Sequence, residues 1–434
     1  MFKPQNKILI IDDEESELKT LSSQFHDNGI GCKALVYDVA YNVPLKGIRI
    51  AFFDIVINPS GGNNQNQIFA TLAAAIKQYI HIDNGPFALI FWTSNKSMIE
   101  DFKKFIQERY TDVPIPFLVD CIDKHEITTK PLSKSLEQIF QNEIIELLFD
   151  FENVAAASAL NTVDEIYHIV PKNDPWGTNN SFKENFDKIF SKIAAATLGF
   201  NHAKKQPNKA IYEGLLPILN HKVLSSTATK NWQNALTSLT SATSFNKLKS
   251  PDDSVQRKIN SFFHIEVAST NKNQRGVTIK IDKTNTDILG SFSINDLKKW
   301  FGKIIPFKNG KDTIKEQTYN NSTLIALEIS SSCDYSNDKP RINKYILGFK
   351  TPIINVDEDV DKAIRAESSY HVGGADFHFQ GEDFQIWLNL NFVFGTMEND
   401  NRFSESLFVL KKEIMDQIGN RYANHISRIG ITSF

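Results

Sequence analysis

The chain has 434 residues, a formal net charge of −3, 41% hydrophobic and 23% charged residues, and three cysteines. That length predicts two or three packed domains, and the composition excludes disordered, collagen-like and disulfide-stapled classes. With 48 basic against 51 acidic residues, no global attraction to nucleic acid or to an anionic membrane is expected.

No apolar run approaches the roughly 20 residues of a bilayer-spanning helix. The opening segment breaks its short apolar run with Asp12, Asp13, Glu14 and Glu15, unlike a signal peptide. Cys32, Cys121 and Cys333 are far apart and form no CxxC pair, which points to a reduced, cytoplasmic chain without a zinc site.

Residues 1–150 predict alternating strands and helices. Lys7–Ile11, Ile48–Ile57, Phe87–Trp92 and Phe117–Val119 are strand candidates; Glu14–Phe25, Ile68–Ile80 and Ser97–Arg109 have helical spacing. This alternation predicts an α/β domain, a doubly wound parallel sheet with both faces covered. Leu136–Phe149 is amphipathic and closes that domain or links it onward. Residues 151–255 predict a helical domain, with helices at Phe186–Leu198, Ala210–Asn220 and Trp232–Leu239. Residues 256–434 predict a small β-barrel or curled α+β sheet. Its strands are Gly276–Ile281, Thr323–Ile329, Tyr345–Phe349 and Phe384–Phe394, with helices at Ile294–Phe301 and Leu407–Ser427.

Ligand sites in parallel α/β sheets lie at the carboxyl ends of the strands. There the first strand ends in Asp12-Asp13, another in Asp54, and a third in Thr93-Ser94. Lys130-Pro131 follows Glu126–Thr129, where a fifth strand is expected. Crowded carboxylates repel unless a divalent cation sits among them, and Mg²⁺ suits a few carboxylates with water retained. A carboxylate beside a metal ion, a hydroxyl and an ammonium can accept a phosphoryl group.

In the order IIDDE, FFD, WTS and TKP, residues 1–150 resemble a response-regulator receiver domain. The resemblance implies Asp54 as phospho-acceptor, Asp12 and Asp13 holding Mg²⁺ with it, Thr93 as switch hydroxyl and Lys130 as its ion-pair partner. The spacings depart from compact receivers, with 39 residues from Asp54 to Thr93 and 37 from Thr93 to Lys130. Insertions are expected near Ser60–Asn66, Asp83–Gly85 and Tyr110–Lys124. Asn58 stands where a proline is usual, with Pro59 one place later. Ile127 occupies the aromatic switch position, so output must use another surface. A relic pocket held by salt bridges is the alternative, and Thr93 or Ser94 could instead cap the next helix.

The remainder offers weaker signals. Cys333 with His371 and Asp376 is the one nucleophile-like set, without a recognisable spacing. His371, Gly373-Gly374, Asp376 and His378 suggest a metal site only faintly, and Asp357, Glu358, Asp359 and Asp361 lack the glycine and closing Glu of a calcium loop. No basic recognition helix is present, so no strong nucleic-acid signal arises. LEISSSCDYSNDK, INSFFHIE and LFVLKKEI…HISRIGI are similar to C-terminal regions of bacterial conflict or antiphage proteins.

The expectation is a cytoplasmic receiver-containing regulator, phosphorylated on Asp54 or used as a docking module. Its partner would be a histidine kinase or an ATPase protein; oligomer formation is left open. The alternatives are a receiver-gated nuclease or hydrolase in the C-terminal region, and a scaffold that is never phosphorylated.

Overall fold

The structure is a computed structural model that describes residues 7–57, 64–124, 143–226, 232–244, 247–248, 250–268, 270–284, 294–305, 312–331, 342–354, 368–396 and 403–427. The chain divides into two compact units, Met1–Ala156 with Thr227–Leu236, and Ala157–Ser226 with Thr237–Phe434. The first boundary falls within the helix Glu143–Ile169.

The first unit is built on a parallel five-stranded sheet of β1 (Ile8–Asp12), β2 (Cys32–Val36), β3 (Ile50–Phe53), β4 (Ala88–Trp92) and β5 (Leu118–Ile122), in the order β2-β1-β3-β4-β5. This is the flavodoxin-like order, whose ligand crevice lies outside the carboxyl ends of the central strands. β1 and β4 are buried along their whole length, as strands covered on both faces must be. β2 is an edge strand; Lys33 and its half-exposed neighbours dilute the apolar signal that marks the other strands.

Helix α1 (Glu15–Asp27) covers one face through Leu18, Leu21 and Phe25, against Ile8, Ile10, Phe52 and Ile90. Helices α2 (Gln65–Tyr79) and α3 (Met98–Arg109) cover the other, with Phe69, Leu72, Phe102 and Phe105 against Leu9, Phe53 and Phe91. One crossover departs from strand–helix alternation: residues 37–49, from β2 to β3, contain no helix. Gln78 on α2 pins that loop by donating to the carbonyls of Asp38 (2.8 Å), Val39 (2.9 Å) and Tyr41 (2.6 Å). The Tyr41 ring stacks on Tyr79 at 4.4 Å.

Residues 157–226 are helical, as expected, with helices at Asn180–Leu198, Phe200–Lys205 and Pro207–Ser225. Their shared core is small: Ala194, Leu198, Ala203 and Ala210. Gly214 permits the close approach of the two long helices, since a Cβ there would stand 2.8 Å from Ile193 Cγ2.

The C-terminal part is α+β. An eight-stranded antiparallel sheet runs in the order β10-β12-β9-β8-β7-β13-β6, with β11 paired to β12. These strands are β6 (Ile265–Val267), β7 (Val277–Ile281), β8 (Thr323–Glu328), β9 (Asn343–Thr351), β10 (Ser369–His371), β11 (Phe377–Phe379), β12 (Glu382–Thr396) and β13 (Ser406–Leu410). Among the described residues the two ends of that order do not pair, so the curled sheet rather than the closed barrel is realised. Side chains alternate between two cores, Leu324 and Ala326 in one and Ile325 and Leu327 in the other, so helices cover both faces. Helix Ile294–Ile304 packs on the first core, and the C-terminal helix Lys412–Ile426 on the second. A register shift between Leu388 and Val393 bends β12 against β9.

One long helix expected at Leu407–Ser427 is in fact a strand followed by a helix. Phe408 and Val409 pair with both β6 and β7, Leu410 pairs with β6, and all three are buried there, so sheet pairing overrides the helical reading. The segment just before β6 also differs, since Asp253–His264 is a helix. Cys333 and the acidic residues Asp357, Glu358, Asp359 and Asp361 lie outside the described residues.

Candidate functional site

The carboxyl ends of β1 and β3 place Asp12, Asp13 and Asp54 together. One carboxylate oxygen from each lies within 4.8 Å of the others, close enough to share one metal ion. Pairing of Ile11 with Phe53 sets the two strand ends level, so Asp54 follows β3 where Asp12 closes β1. The Asp54 amide donates to the Ile11 carbonyl, continuing the ladder one step beyond the named strand.

Local backbone contacts fix the aspartates. Asp12 Oδ1 accepts the Glu14 amide at 2.9 Å, and Asp54 Oδ1 accepts the Val56 amide at 3.3 Å. Asp12 is 1% exposed, and burial raises its carboxyl pKa above the ordinary 3.8; the Glu14 amide and Lys124 pull only partly in the opposite direction. Burial likewise raises Asp13, with the charges of Asp12 and Asp54 adding to the effect.

Among the described residues, the ammonium at this site belongs to Lys124. Its Nζ donates to Asp54 Oδ2 at 2.9 Å and to Asp12 Oδ2 at 3.0 Å. Burial disfavours its charge, but hydrogen bonds and Coulombic attraction from Asp54, then Asp12, outweigh that and raise its pKa. Lys130 and the segment Glu126–Thr129 lie outside the described residues. The sheet's fifth strand is Leu118–Ile122, paired with β4 from Ala88–Leu118 to Trp92–Ile122, and Lys124 stands two residues past its end. The sequence signal for Lys124 is faint: Asp120 and Asp123 break the apolar run before it, and the β4–β5 pairing is what sets it at the same edge as the aspartates.

Thr93 follows β4 at the same edge and is 1% exposed. Its amide donates to the Ile122 carbonyl at 3.2 Å, tying it to β5. Thr93 Oγ1 accepts the Asn95 amide at 3.2 Å, a turn contact that leaves its O–H to donate elsewhere. It does not cap α3, whose N-cap is Ser97. Trp92, fully buried, carries the Lys124 ammonium 5.5 Å from its ring centroid.

Among the described residues, three carboxylates face one ammonium and leave an excess of negative charge, and their hard oxygens are the donor set of a divalent cation. The residues present can thus hold a metal ion. The parallel sheet and acidic cluster are compatible with a receiver-like fold.

The second candidate set does not converge in this way. The His371 ring stacks on Trp387 at 4.4 Å, whereas His378 Nδ1 pairs with Asp383 at 2.6 Å. Asp376 accepts from Gln385 at 2.7 Å. Arg257 links Asp376 to Asp383, the partner of His378, and the acidic cluster at β1 and β3 is the only metal-competent group among the described residues.

No helix of the described residues is long and apolar enough to cross a membrane. No family model matches the chain, and no curated protein matches it.

Proposed function

We propose that the first unit is a receiver-type phospho-acceptor module in a regulatory protein, with Asp54 as the acceptor. The observation that carries this reading is the Lys124 ammonium joined to Asp54 and Asp12 beside Asp13, at the carboxyl edge of a parallel sheet. In the transfer, an Asp54 oxygen attacks the phosphorus of a phosphohistidine on a partner kinase. The Oδ–P bond forms, the N–P bond breaks, and its electron pair stays with the imidazole nitrogen, which then takes a proton. Asp12, Asp13 and Asp54 would hold a divalent cation, Mg²⁺ by its preference for few hard oxygens, and when bound it neutralises phosphoryl charge. Lys124 contributes the second positive charge, and the Thr93 hydroxyl can swing from its turn contact to donate to a phosphoryl oxygen.

A second reading has its own support. Because Lys124 already bridges two of the three carboxylates, the pocket is held together without metal or phosphoryl group. The module would then dock an ATPase or kinase partner unphosphorylated. Binding of beryllofluoride with Mg²⁺ separates the two: phospho-acceptance requires saturable binding by the wild type and loss in Asp54→Asn. No binding by the wild type, or equal binding by the variant, leaves the docking role alone.

A further inference from the structure

Helix Asp253–His264 is packed with its polar side inward. Its inner face makes specific polar bonds to the β11–β12 hairpin: Arg257 Nη1 donates to Asp383 Oδ2 at 2.8 Å, and Asn260 Nδ2 to the Asp376 carbonyl at 2.8 Å. Ser261 Oγ accepts the His378 amide at 2.9 Å. Ser261 is buried, 6% exposed. The outer face is apolar. Val255 and Ile259 are each 42% exposed, Phe263 60% and Phe262 73%. Spaced at i, i+4, i+7 and i+8, these four form one continuous stripe. A surface helix normally buries such a stripe and solvates its polar face; here the arrangement is reversed.

We infer that this stripe is the contact between two copies of the chain, packed antiparallel about a twofold axis at Ile259. The spacing is self-complementary: Val255 and Phe263 each lie four residues from Ile259. An antiparallel partner therefore sets the small Val255 of one copy against the large Phe263 of the other, as an isologous interface requires. The charges run the same way. Asp252 and Asp253 are exposed at the helix start. At its end stands Lys411, whose Nζ donates to the Phe262 carbonyl at 2.6 Å and lies 5.6 Å from the Phe262 ring centroid. Antiparallel packing brings Asp252 and Asp253 of each copy toward Lys411 of the other, beside which Glu266 and Glu413 also stand exposed; parallel packing would set Asp252 and Asp253 of the two copies together.

A helix of this length spans about 18 Å. Its stripe and rim supply less than the ~800 Å² per partner of a standard interface, so the dimer is weak and concentration-dependent.

Sedimentation velocity of the full chain tests this. The wild type is expected to rise from 49.2 kDa toward twice that mass with concentration. Phe262→Asp with Phe263→Asp, both at exposed positions, should abolish the rise while leaving the circular-dichroism spectrum and melting temperature unchanged. A charge-swap pair then reads the geometry. Copies carrying Asp252→Lys and Asp253→Lys, and copies carrying Lys411→Glu, should each remain monomeric alone and dimerise on mixing. A wild type that stays monomeric throughout, or association that survives the Phe262 and Phe263 changes, overturns the proposal. A mixture that fails to associate while the wild type does overturns the antiparallel arrangement.

Discussion

Lys124 Nζ lies 2.9 Å from Asp54 Oδ2 and only 3.0 Å from Asp12 Oδ2, so one ammonium ties the ends of two adjacent parallel strands. The lysine is 17% exposed and Asp12 1%, so water screens this contact little. It both steadies the acidic pocket and competes with a cation for the same oxygens.

Lys124→Ala should therefore have opposite effects on stability and on metal binding. Removing the ammonium leaves two carboxylates facing each other in a shielded pocket, at an expected cost of about 1–3 kcal/mol. Mg²⁺ should restore part of that loss, because a ligand bound only by the folded state stabilises it. Thermal unfolding of wild type and variant, with chelator and with Mg²⁺, measures the gap. A gap unchanged by Mg²⁺ would separate Lys124 from the metal site.

Trp92 is a built-in reporter for the same pocket. Its ring lies 5.5 Å from the Lys124 ammonium, and any ligand that displaces that charge alters its surroundings. Adding Mg²⁺ should change the tryptophan emission. The change should vanish in Trp92→Phe, although four other tryptophans remain of the chain's five. A signal that persists in that variant arises elsewhere.

Glu152 gives a pH signature away from the pocket. It pairs with Arg49, with a 2.9 Å hydrogen bond from Nε, and with Lys7 at 3.2 Å. Burial alone would raise its pKa, but Arg49 and then Lys7 bring it below the ordinary 4.5. The unfolded chain thus binds more protons between the two values. The stabilisation is fully present above pH 4.5 and is lost as pH falls through the lower, folded value. Glu152→Gln should cost about 1 kcal/mol at neutral pH, discounted for partial exposure, and flatten the acid slope in urea titrations.

In the C-terminal sheet, Gly348 marks a place where no side chain fits. An added Cβ would stand 2.3 Å from the Trp387 carbonyl oxygen and 2.7 Å from Leu388 Cδ2. Gly348→Ala should cost about 3 kcal/mol and shift the urea midpoint accordingly. Gly302 is the control: nothing lies within 4 Å of its added Cβ, and its position inside Ile294–Ile304 means Ala should stabilise by about 0.5–1 kcal/mol.

Much of the fold is legible from residues that obey a single period. Ile8–Asp12, Ala88–Trp92 and the helices around Phe102 and Leu198 combine strong local patterns with burial that agrees with them. Misreading concentrates where tertiary context decides. Leu407–Leu410 fits a helix or a strand equally until β6 and β7 flank it. Asp253–His264 reads poorly because its apolar stripe faces solvent instead of the core. At the pocket, Asp12, Asp13, Asp54 and Thr93 are legible because strand ends are legible. Lys124 carries no marked sequence signal and is set at the pocket by the β4–β5 register, while Lys130 lies outside the described residues.

The most direct test of phospho-acceptance is intact mass after incubation with Mg²⁺ and a small acyl phosphate donor. The expected result is the gain of one phosphoryl group, labile to hydroxylamine, present in the wild type, absent in Asp54→Asn and strongly reduced in Lys124→Ala. No mass gain in the wild type, or an equal gain in Asp54→Asn, would contradict it.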